Sequence, residues 1–368
     1  MTKAAELAKM GEVLTNSQIG GRRNIIINGA MQVSQRGTSF TGVGDGDNAY
    51  FLDRFQFLES GTPNGVFTIT QASDGPAGFA NSMKVDCTTA ETAVAANERI
   101  FIQQKIEGQN LQHLKKGTSS AESLTLSFWV KTNKTGTYTL ELLDNDNSRS
   151  FSQTYTVSSA NTWEKKTITY AGDTTGAFDN DNGNSFQCNF WLGAGSNFTS
   201  GTFQNSWGSK IAANRVSSSQ VNLADSTSNE WYITGVQLEA GSVASDFEFL
   251  PVDVNLARCQ RYYYLHVSGS QDVGVGGYYL SSHIFFNITF PNTMRAVPTV
   301  DYVSGTDYYK ISRNGATDNF NDIAGGGVAS LNEISLYNNS QVSGTAGDAG
   351  YVRSNNASAS IALNSELS

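Results

Sequence analysis

Residues 123–131 read Ser-Leu-Thr-Leu-Ser-Phe-Trp-Val-Lys, and this stretch decides the fold class. Its apolar side chains Leu124, Leu126, Phe128 and Val130 alternate with residues of a different character. Successive side chains of an extended strand point to opposite faces, so this alternation predicts a strand with one face in a core.

The same alternation recurs along the chain, separated by short turns rich in Asn, Asp and Gly. The segment 138–142, the turn 144–147 and the segment 151–157 together predict a β-hairpin. Short strands without helical stretches between them are typical of an antiparallel β-sandwich or jelly roll, an all-β fold. The further strands predicted in this part of the chain are 163–170, 186–192 and 231–238.

Composition agrees with a folded β-rich protein and argues against a nucleic-acid partner. Only 15% of the 368 residues are charged, while 39% are hydrophobic and 11% aromatic. This hydrophobic share is too high for a disordered chain. The formal net charge of −9, without any run of Lys or Arg, would repel a polyanion.

Three cysteines, Cys87, Cys188 and Cys259, lie far apart and lack CxxC spacing. This pattern predicts buried thiols in a protein that folds in a reducing cytoplasm. No run approaches the ~20 apolar residues of a membrane-spanning helix, and the first residues lack a signal-peptide core. We therefore expect a protein that is made in the cytosol and has no membrane span.

Two pairs of phrases carry a resemblance to a known family. Residues 24–37 read Asn-Ile-Ile-Ile-Asn-Gly-Ala-Met-Gln-Val-Ser-Gln-Arg-Gly and are followed by Asp-Arg-Phe at 53–55. Residues 233–242 read Ile-Thr-Gly-Val-Gln-Leu-Glu-Ala-Gly-Ser and are followed by Cys-Gln-Arg-Tyr-Tyr at 259–263. These phrases resemble bacteriophage tail-fibre and virion appendage proteins that contain a jelly roll similar to carbohydrate-binding modules.

The resemblance implies a homotrimeric component of the virion that is synthesised in the host cytoplasm and binds a receptor on the host surface. On this basis residues 1–23 are predicted to be an arm that anchors the chain to other virion proteins, residues 24–250 the jelly roll, and residues 251–368 a smaller β-rich tip. The helical spacing of Ala4, Leu7 and Ala8 supports a short helix in the arm. A terminus docked on its own domain explains that spacing equally well.

Within 251–368, the pattern predicts one helical turn and a series of strands. Residues 256–264 form the predicted turn, and the glycines at 325–327 are predicted to lie in a loop. The predicted strands are 278–290, 299–303, 308–313, 329–337 and 357–363.

No motif predicts catalysis, so we assign no catalytic residues and expect no enzyme. The three histidines, His113, His266 and His283, do not pair at metal-ligand spacing, and no nucleophile motif is present. A polysaccharide-degrading enzyme stays an alternative, because a glycosidase needs only two carboxylates ~5–10 Å apart and the sequence does not show which carboxylates converge.

Asp179 and Asp181 belong to the run Asp-Asn-Asp-Asn-Gly-Asn at 179–184, which has the alternating oxygen ligands of a calcium loop. We therefore name these two residues as calcium-ligand candidates, and no other cofactor is indicated. The twelfth position of the loop holds Phe190 rather than an acidic residue. A tight turn explains the same residues.

Trp129 and Trp191 lie out of phase with the apolar residues of their strands, which places both on the polar side. We predict that they form a platform on which sugar rings stack, because tryptophan combines an apolar face with a polar edge. The alternative is that they pack under loops, under the arm or against a neighbouring subunit.

The function predicted from these observations is host-surface attachment, by a virion tail fibre or similar appendage that binds a glycan. Three alternatives stay open: a head fibre or capsid decoration protein, a polysaccharide-degrading enzyme, and a scaffold without a ligand.

Overall fold

The computed structural model describes residues 3–4, 22–44, 46–61 and 64–368. The predicted arm over residues 1–23 lies outside the described residues except for 3, 4, 22 and 23, of which 3 and 4 are helical. The chain divides into two compact units, Met1–Val252 and Asp253–Ser368. No described helix has the length and apolar character that crossing a membrane requires.

The first unit contains two antiparallel sheets, which confirms the predicted all-β class. One helical turn, α1 (Ser196–Thr199), precedes the short strand β12. The strands are β1 (Ser39–Val43), β2 (Asn48–Tyr50), β3 (Gln56–Ser60), β4 (Val66–Ala72), β5 (Ser82–Thr89), β6 (Arg99–Glu107), β7 (Leu124–Thr132), β8 (Gly136–Asp144), β9 (Arg149–Val157), β10 (Glu164–Tyr170), β11 (Asn184–Ala194), β12 (Gly208–Ser209) and β13 (Glu230–Ala240).

The order of strands in the first sheet is β1-β4-β5-β13-β7-β10, and in the second it is β12-β9-β8-β11-β6-β3-β2. The strands predicted between 123 and 238 are all present, and β8 and β9 form the predicted hairpin around the turn at 145–148. Strands distant in sequence are neighbours in both sheets, which is typical of a jelly-roll sandwich.

Aromatic side chains from the facing sides of the two sheets form the core between them. Phe128 of β7 contacts Phe190 of β11, with ring centroids 5.3 Å apart. Phe67 of β4 contacts Phe57 of β3, with centroids 5.4 Å apart. All four rings are fully buried, and each such side chain stabilises the fold by roughly 1.5–3 kcal/mol relative to exposure.

The segment that begins at Asn24 closes this unit, because it binds the backbone of the last strand, β13. The Asn24 amide nitrogen donates to Val236 O (3.0 Å), and its amide oxygen accepts from Leu238 N (3.1 Å). The backbone adds Ile25 N to Leu238 O (2.9 Å). The phrase at 24–37 thus adjoins the phrase at 233–242, but it begins as an irregular segment rather than a strand, bound both by its backbone and by the Asn24 side chain.

A register shift in β13 makes room for this segment. The shift falls between Thr234 and Gln237, at Gly235, whose φ is +62°. Opposite the shift, a Cβ on Gly29 would lie 2.0 Å from Val236 O, so only glycine allows this close approach.

The second unit contains a three-stranded sheet, β14-β23-β17, and a seven-stranded sheet, β19-β18-β22-β15-β16-β21-β20. A helix, α2 (Val252–Gln260), lies at the boundary between the units in the sequence and begins earlier than the predicted turn. The strands are β14 (Tyr263–Ser268), β15 (Asp272–Leu280), β16 (His283–Thr289), β17 (Thr299–Tyr302), β18 (Tyr309–Arg313), β19 (Ala316–Phe320), β20 (Ala324–Ala329), β21 (Glu333–Asn338), β22 (Ala349–Ser354) and β23 (Ser360–Asn364).

Two sequence predictions for this unit were wrong in detail. The predicted strand 278–290 is the hairpin of β15 and β16, which turns at Ser281 and Ser282. The glycines at 325–327 lie within β20 rather than in a loop. Gly325 pairs with Leu336 of β21, and the register then shifts before Ala329 pairs with Ile334.

The closure of the first unit predicts the effect of Asn24→Ala. The change leaves buried backbone groups of β13 without their partner, so the free energy of unfolding should fall by about 2–4 kcal/mol. Urea denaturation measures this. Asn97→Ala is the control, because the exposed Asn97 makes a single amide contact, to Gly61 O (3.1 Å). Equal stability of the two variants would contradict the proposed closure.

Candidate functional site

Trp191 is fully buried, which corrects its prediction as part of an exposed platform. It does lie on the outer side of β11, but Phe198 of α1 and Val216 cover it. Its indole nitrogen donates to Glu141 Oε2 (3.2 Å), and Arg215 binds the same carboxylate at 2.7 and 2.8 Å. The structure therefore shows the alternative arrangement, in which this tryptophan packs under a loop.

Trp129 is partly buried on the outer side of β7, in the other sheet from Trp191. A Cβ built at Gly235 would lie 3.1 Å from Trp129 Cδ1 and 2.8 Å from Phe79 Cζ, so both rings cover the register shift of β13. The structure therefore does not bring Trp129 and Trp191 together. A role of Trp129 in sugar binding stays a prediction.

Asp179 and Asp181 are exposed and take part in turns. Asp181 Oδ1 accepts a hydrogen bond from Gly183 N (2.8 Å), and Asp179 N donates to Asp146 Oδ2 (2.9 Å). Within the described residues, no group of three or more His, Cys, Asp and Glu side chains could hold a metal ion. The turn interpretation of this run therefore accounts for its residues.

A lysine ammonium occupies an oxygen cage beside these turns. Lys116 Nζ lies 2.5 Å from Asp144 Oδ2 and 3.1 Å from Asp173 Oδ2, and it donates to the carbonyl oxygens of Thr175 (2.9 Å) and Gly176 (2.7 Å). The three charged side chains are at most 5% exposed. We call this group the Lys116 cage.

Arg149 completes the charge balance of the Lys116 cage. Its guanidinium binds both oxygens of Asp173, at 2.7 and 3.0 Å. Burial alone would raise the pKa of Asp173, but the hydrogen bonds from Arg149, Thr175 N and Lys116 lower the pKa below its usual value. The carboxylate therefore stays charged, and its contribution to stability is lost only as the pH falls through this lowered pKa.

The strongest candidate for a binding site is the outward side of the seven-stranded sheet in the second unit. In β16 the side chains alternate, so that Ile284 and Phe286 are buried while Phe285 points to the other side. Tyr279 is 71% exposed and Tyr351 is 65% exposed. We call the outward residues Val275, Tyr279, His283, Phe285, Tyr337 and Tyr351 the aromatic face.

Four rings of the aromatic face, those of Tyr279, His283, Phe285 and Tyr337, contact one another across three strands. His283 stacks on Phe285 with centroids 4.6 Å apart and an interplanar angle of 20°. Tyr337 lies 5.7 Å from Phe285, and Tyr279 lies 6.0 Å from Phe285 on the opposite side. The three-stranded sheet contributes to the core on the inner side of this sheet, through Val267, Ile361 and Leu363. Exposed apolar patches of this kind mark interaction sites.

Charge is confined to the border of the aromatic face. Arg353 and Asp272 form an ion pair there (2.5 Å), with side chains 50% and 68% exposed. Further along β15, Val275 pairs with Tyr351 of β22, and Gly277 pairs with Phe285 of β16 and with Ala349 of β22. The centre of the face therefore carries uncharged residues. The face therefore suits an uncharged partner with apolar surface.

Sequence reasoning missed this site, although a signal was present. Tyrosine and phenylalanine alternate with core residues in β16 and β21, as Trp129 and Trp191 do in their strands. The prediction of a single strand over 278–290 hid the pairing of Gly277 with Phe285. That pairing gathers the rings on one surface together with the pairings of β16 with β21 and of β15 with β22.

No family model and no curated protein matches the chain. Its structural neighbours are β-sandwich folds like those of carbohydrate-binding modules and a phage tailspike domain. The enzymatically active domain of tailspike protein 4 of bacteriophage CBA120 is 16% identical at a TM-score of 0.32, with 59% of this chain and 21% of the tailspike chain covered. This chain thus spans about a fifth of the length of that tailspike.

Two further neighbours are covered almost completely. A putative sugar-binding protein from Bacteroides thetaiotaomicron is 15% identical, with a TM-score of 0.33, 59% of this chain and 100% of that chain. A CBM4 structure is 16% identical, with a TM-score of 0.30, 58% of this chain and 97% of that chain. At such low scores, none of these likenesses carries an argument about the function of this chain.

The Lys116 cage predicts that Lys116→Met destabilises the first unit strongly. The variant keeps the length of the side chain but leaves two buried carboxylates without the ammonium, so we expect a loss of about 3–5 kcal/mol. Thermal and urea unfolding measure it. Lys115→Met is the matched control, since Lys115 makes an exposed ion pair with Glu122 that contributes at most about 1 kcal/mol. A similar small loss of stability in both variants would show that the Lys116 cage contributes little to the free energy of unfolding.

Proposed function

We propose that this protein is a component of a bacteriophage particle, a tail fibre or similar appendage, that attaches the particle to glycans on the host surface. The observation that carries the attachment role is the aromatic face of the second unit. The phrases at 24–37 and 233–242 support the phage origin through their resemblance to virion appendage proteins. On this proposal the protein is located in the virion and acts by binding, not by catalysis.

The chemistry of the aromatic face suits a sugar. The C–H groups on one side of a sugar ring form an apolar surface that packs on an aromatic ring, while its hydroxyl groups need polar neighbours. Tyr279 and Tyr351 offer both, because each combines an exposed ring with a hydroxyl group. Asn287 and Ser335, outward in neighbouring strands, add further hydrogen-bonding groups.

Several copies in one particle would convert weak contacts into stable attachment. Single sugar sites bind weakly, whereas linked sites that bind together gain 10²–10⁴ in avidity. We propose a homotrimer, with residues 1–23 binding another virion protein, because the resemblance implies both.

Truncation of either tyrosine should weaken glycan binding. For Tyr279→Ala and Tyr351→Ala, loss of a stacking ring should raise the Kd about five- to thirtyfold, measured by calorimetry with the strongest hit of a glycan array. Tyr302→Ala is the matched control, because Tyr302 is 37% exposed on β17 of the other sheet. Binding by both face variants at the affinity of the wild type would rule out the aromatic face as the glycan site.

Gold-labelled antibody against this chain, viewed on intact particles by electron microscopy, tests the virion location. We expect label at the tail. Label spread over the capsid would indicate a head fibre or decoration protein, and particles without label would overturn the proposed virion role.

A further inference from the structure

The aromatic face is interrupted at its centre by Gly277, between the outward residues Val275 and Tyr279 of β15. The neighbours of Gly277 on the adjacent strands are Phe285 on one side and Ala349 on the other. At Gly277 and Ala349 the surface carries no side chain beyond a Cβ atom. The face therefore has a shallow trough, with the sheet backbone as its floor.

The fold does not require glycine at position 277. Its φ is not in the positive range, and a Cβ built there would have Asp348 O, at 3.5 Å, as its nearest neighbour, an ordinary contact. The adjacent Gly276 differs, because its Cβ would point inward and lie 2.8 Å from Phe285 O and 2.9 Å from Val352 Cγ2. Close packing explains why position 276 is a glycine, but it does not explain why position 277 is one.

A glycine inside a strand destabilises that strand by roughly 0.5–1 kcal/mol relative to alanine. Such a glycine often marks a site where a ligand approaches the backbone closely. Outward residues two apart on one strand are separated by roughly 6.7 Å, so Val275 and Tyr279 lie about 13 Å apart with Gly277 midway. This gap admits one six-membered ring that lies with one side on the backbone, between Tyr279 and Tyr351, which is the neighbour of Val275.

We propose that the trough over Gly277 is a subsite for one uncharged sugar unit of the host glycan, held between Tyr279 and Tyr351. This inference rests on the proposed function and specifies where the glycan lies and that the bound unit is neutral. Beside Tyr351, Arg353 and Asp272 bind each other at the border, and Lys310 lies beyond them opposite Arg353. The described residues paired with Gly277, Phe285 and Ala349, carry no charge that would compensate an acidic sugar.

Gly277→Val in the full chain tests the subsite. A β-branched side chain favours the strand conformation and its Cβ makes only an ordinary contact here, so the melting temperature should equal that of the wild type or exceed it. The same side chain fills the trough, so affinity should fall about tenfold or more. Maltohexaose, a galactan hexasaccharide and a hyaluronan hexasaccharide are the probes, titrated by saturation-transfer NMR.

Two further variants distinguish a blocked trough from a misfolded protein as the cause of lost affinity. Thr289→Val places valine at an outward, exposed position of β16 beyond the aromatic rings, where it replaces a hydroxyl by a methyl group without added bulk, and should bind as the wild type does. If Gly277→Val unfolds, Gly277→Ala replaces it, because its single methyl group fits the backbone, and its affinity should still fall about threefold.

The outcomes distinguish this inference from the proposed function. A folded position-277 variant that binds a neutral probe as tightly as the wild type would overturn the subsite, although loss of binding in Tyr279→Ala would still support the aromatic face. Wild-type binding to the hyaluronan probe alone would overturn the neutral specificity. Absence of wild-type binding to any probe or to the glycan array would overturn both proposals.

Discussion

The contact between Asn24 and the backbone of β13 is the constraint on which the first unit depends. It joins the start of the sandwich to its last strand across more than 200 residues of sequence. Gly29 allows the approach because it has no side chain, and the register shift at Gly235 provides the space. These features fall within the two phrases at 24–37 and 233–242, so both phrases take part in closing the fold of the first unit.

Local alternation was sufficient to predict the individual strands of the sandwich. The hairpin of β8 and β9 was predictable because its pairing is local and its turn contains Asp and Asn. The order of the strands was not, since β13 lies between β5 and β7 through contacts that no local pattern encodes. The burial of Trp191 was missed for the same reason, because the residues that cover it come from later parts of the chain: Phe198 from α1 and Val216 from a loop.

The aromatic face shows even more clearly that a local sequence pattern does not predict which strands pair. The strands β15, β16, β21 and β22 each supply one or two outward aromatic residues, and none of these residues is distinctive alone. Phe285 and Tyr337 become neighbours only through the pairing of β16 with β21, and Gly277 becomes central only through the pairing of β15 with β16. Sequence periodicity can assign a residue to a face, but the position of that residue on the face depends on register.

The Lys116 cage has a consequence for how the fold responds to its surroundings. Two buried carboxylates and two carbonyl oxygens could in principle bind a dissolved ion, whose occupancy would follow its concentration and fall in the presence of a chelator. Here the positive charge is attached to the chain, so its effective concentration at the cage is set by backbone geometry and does not change on dilution. The segments around Asp144 and Asp173 are thereby held by a positive charge that cannot dissociate into the solvent.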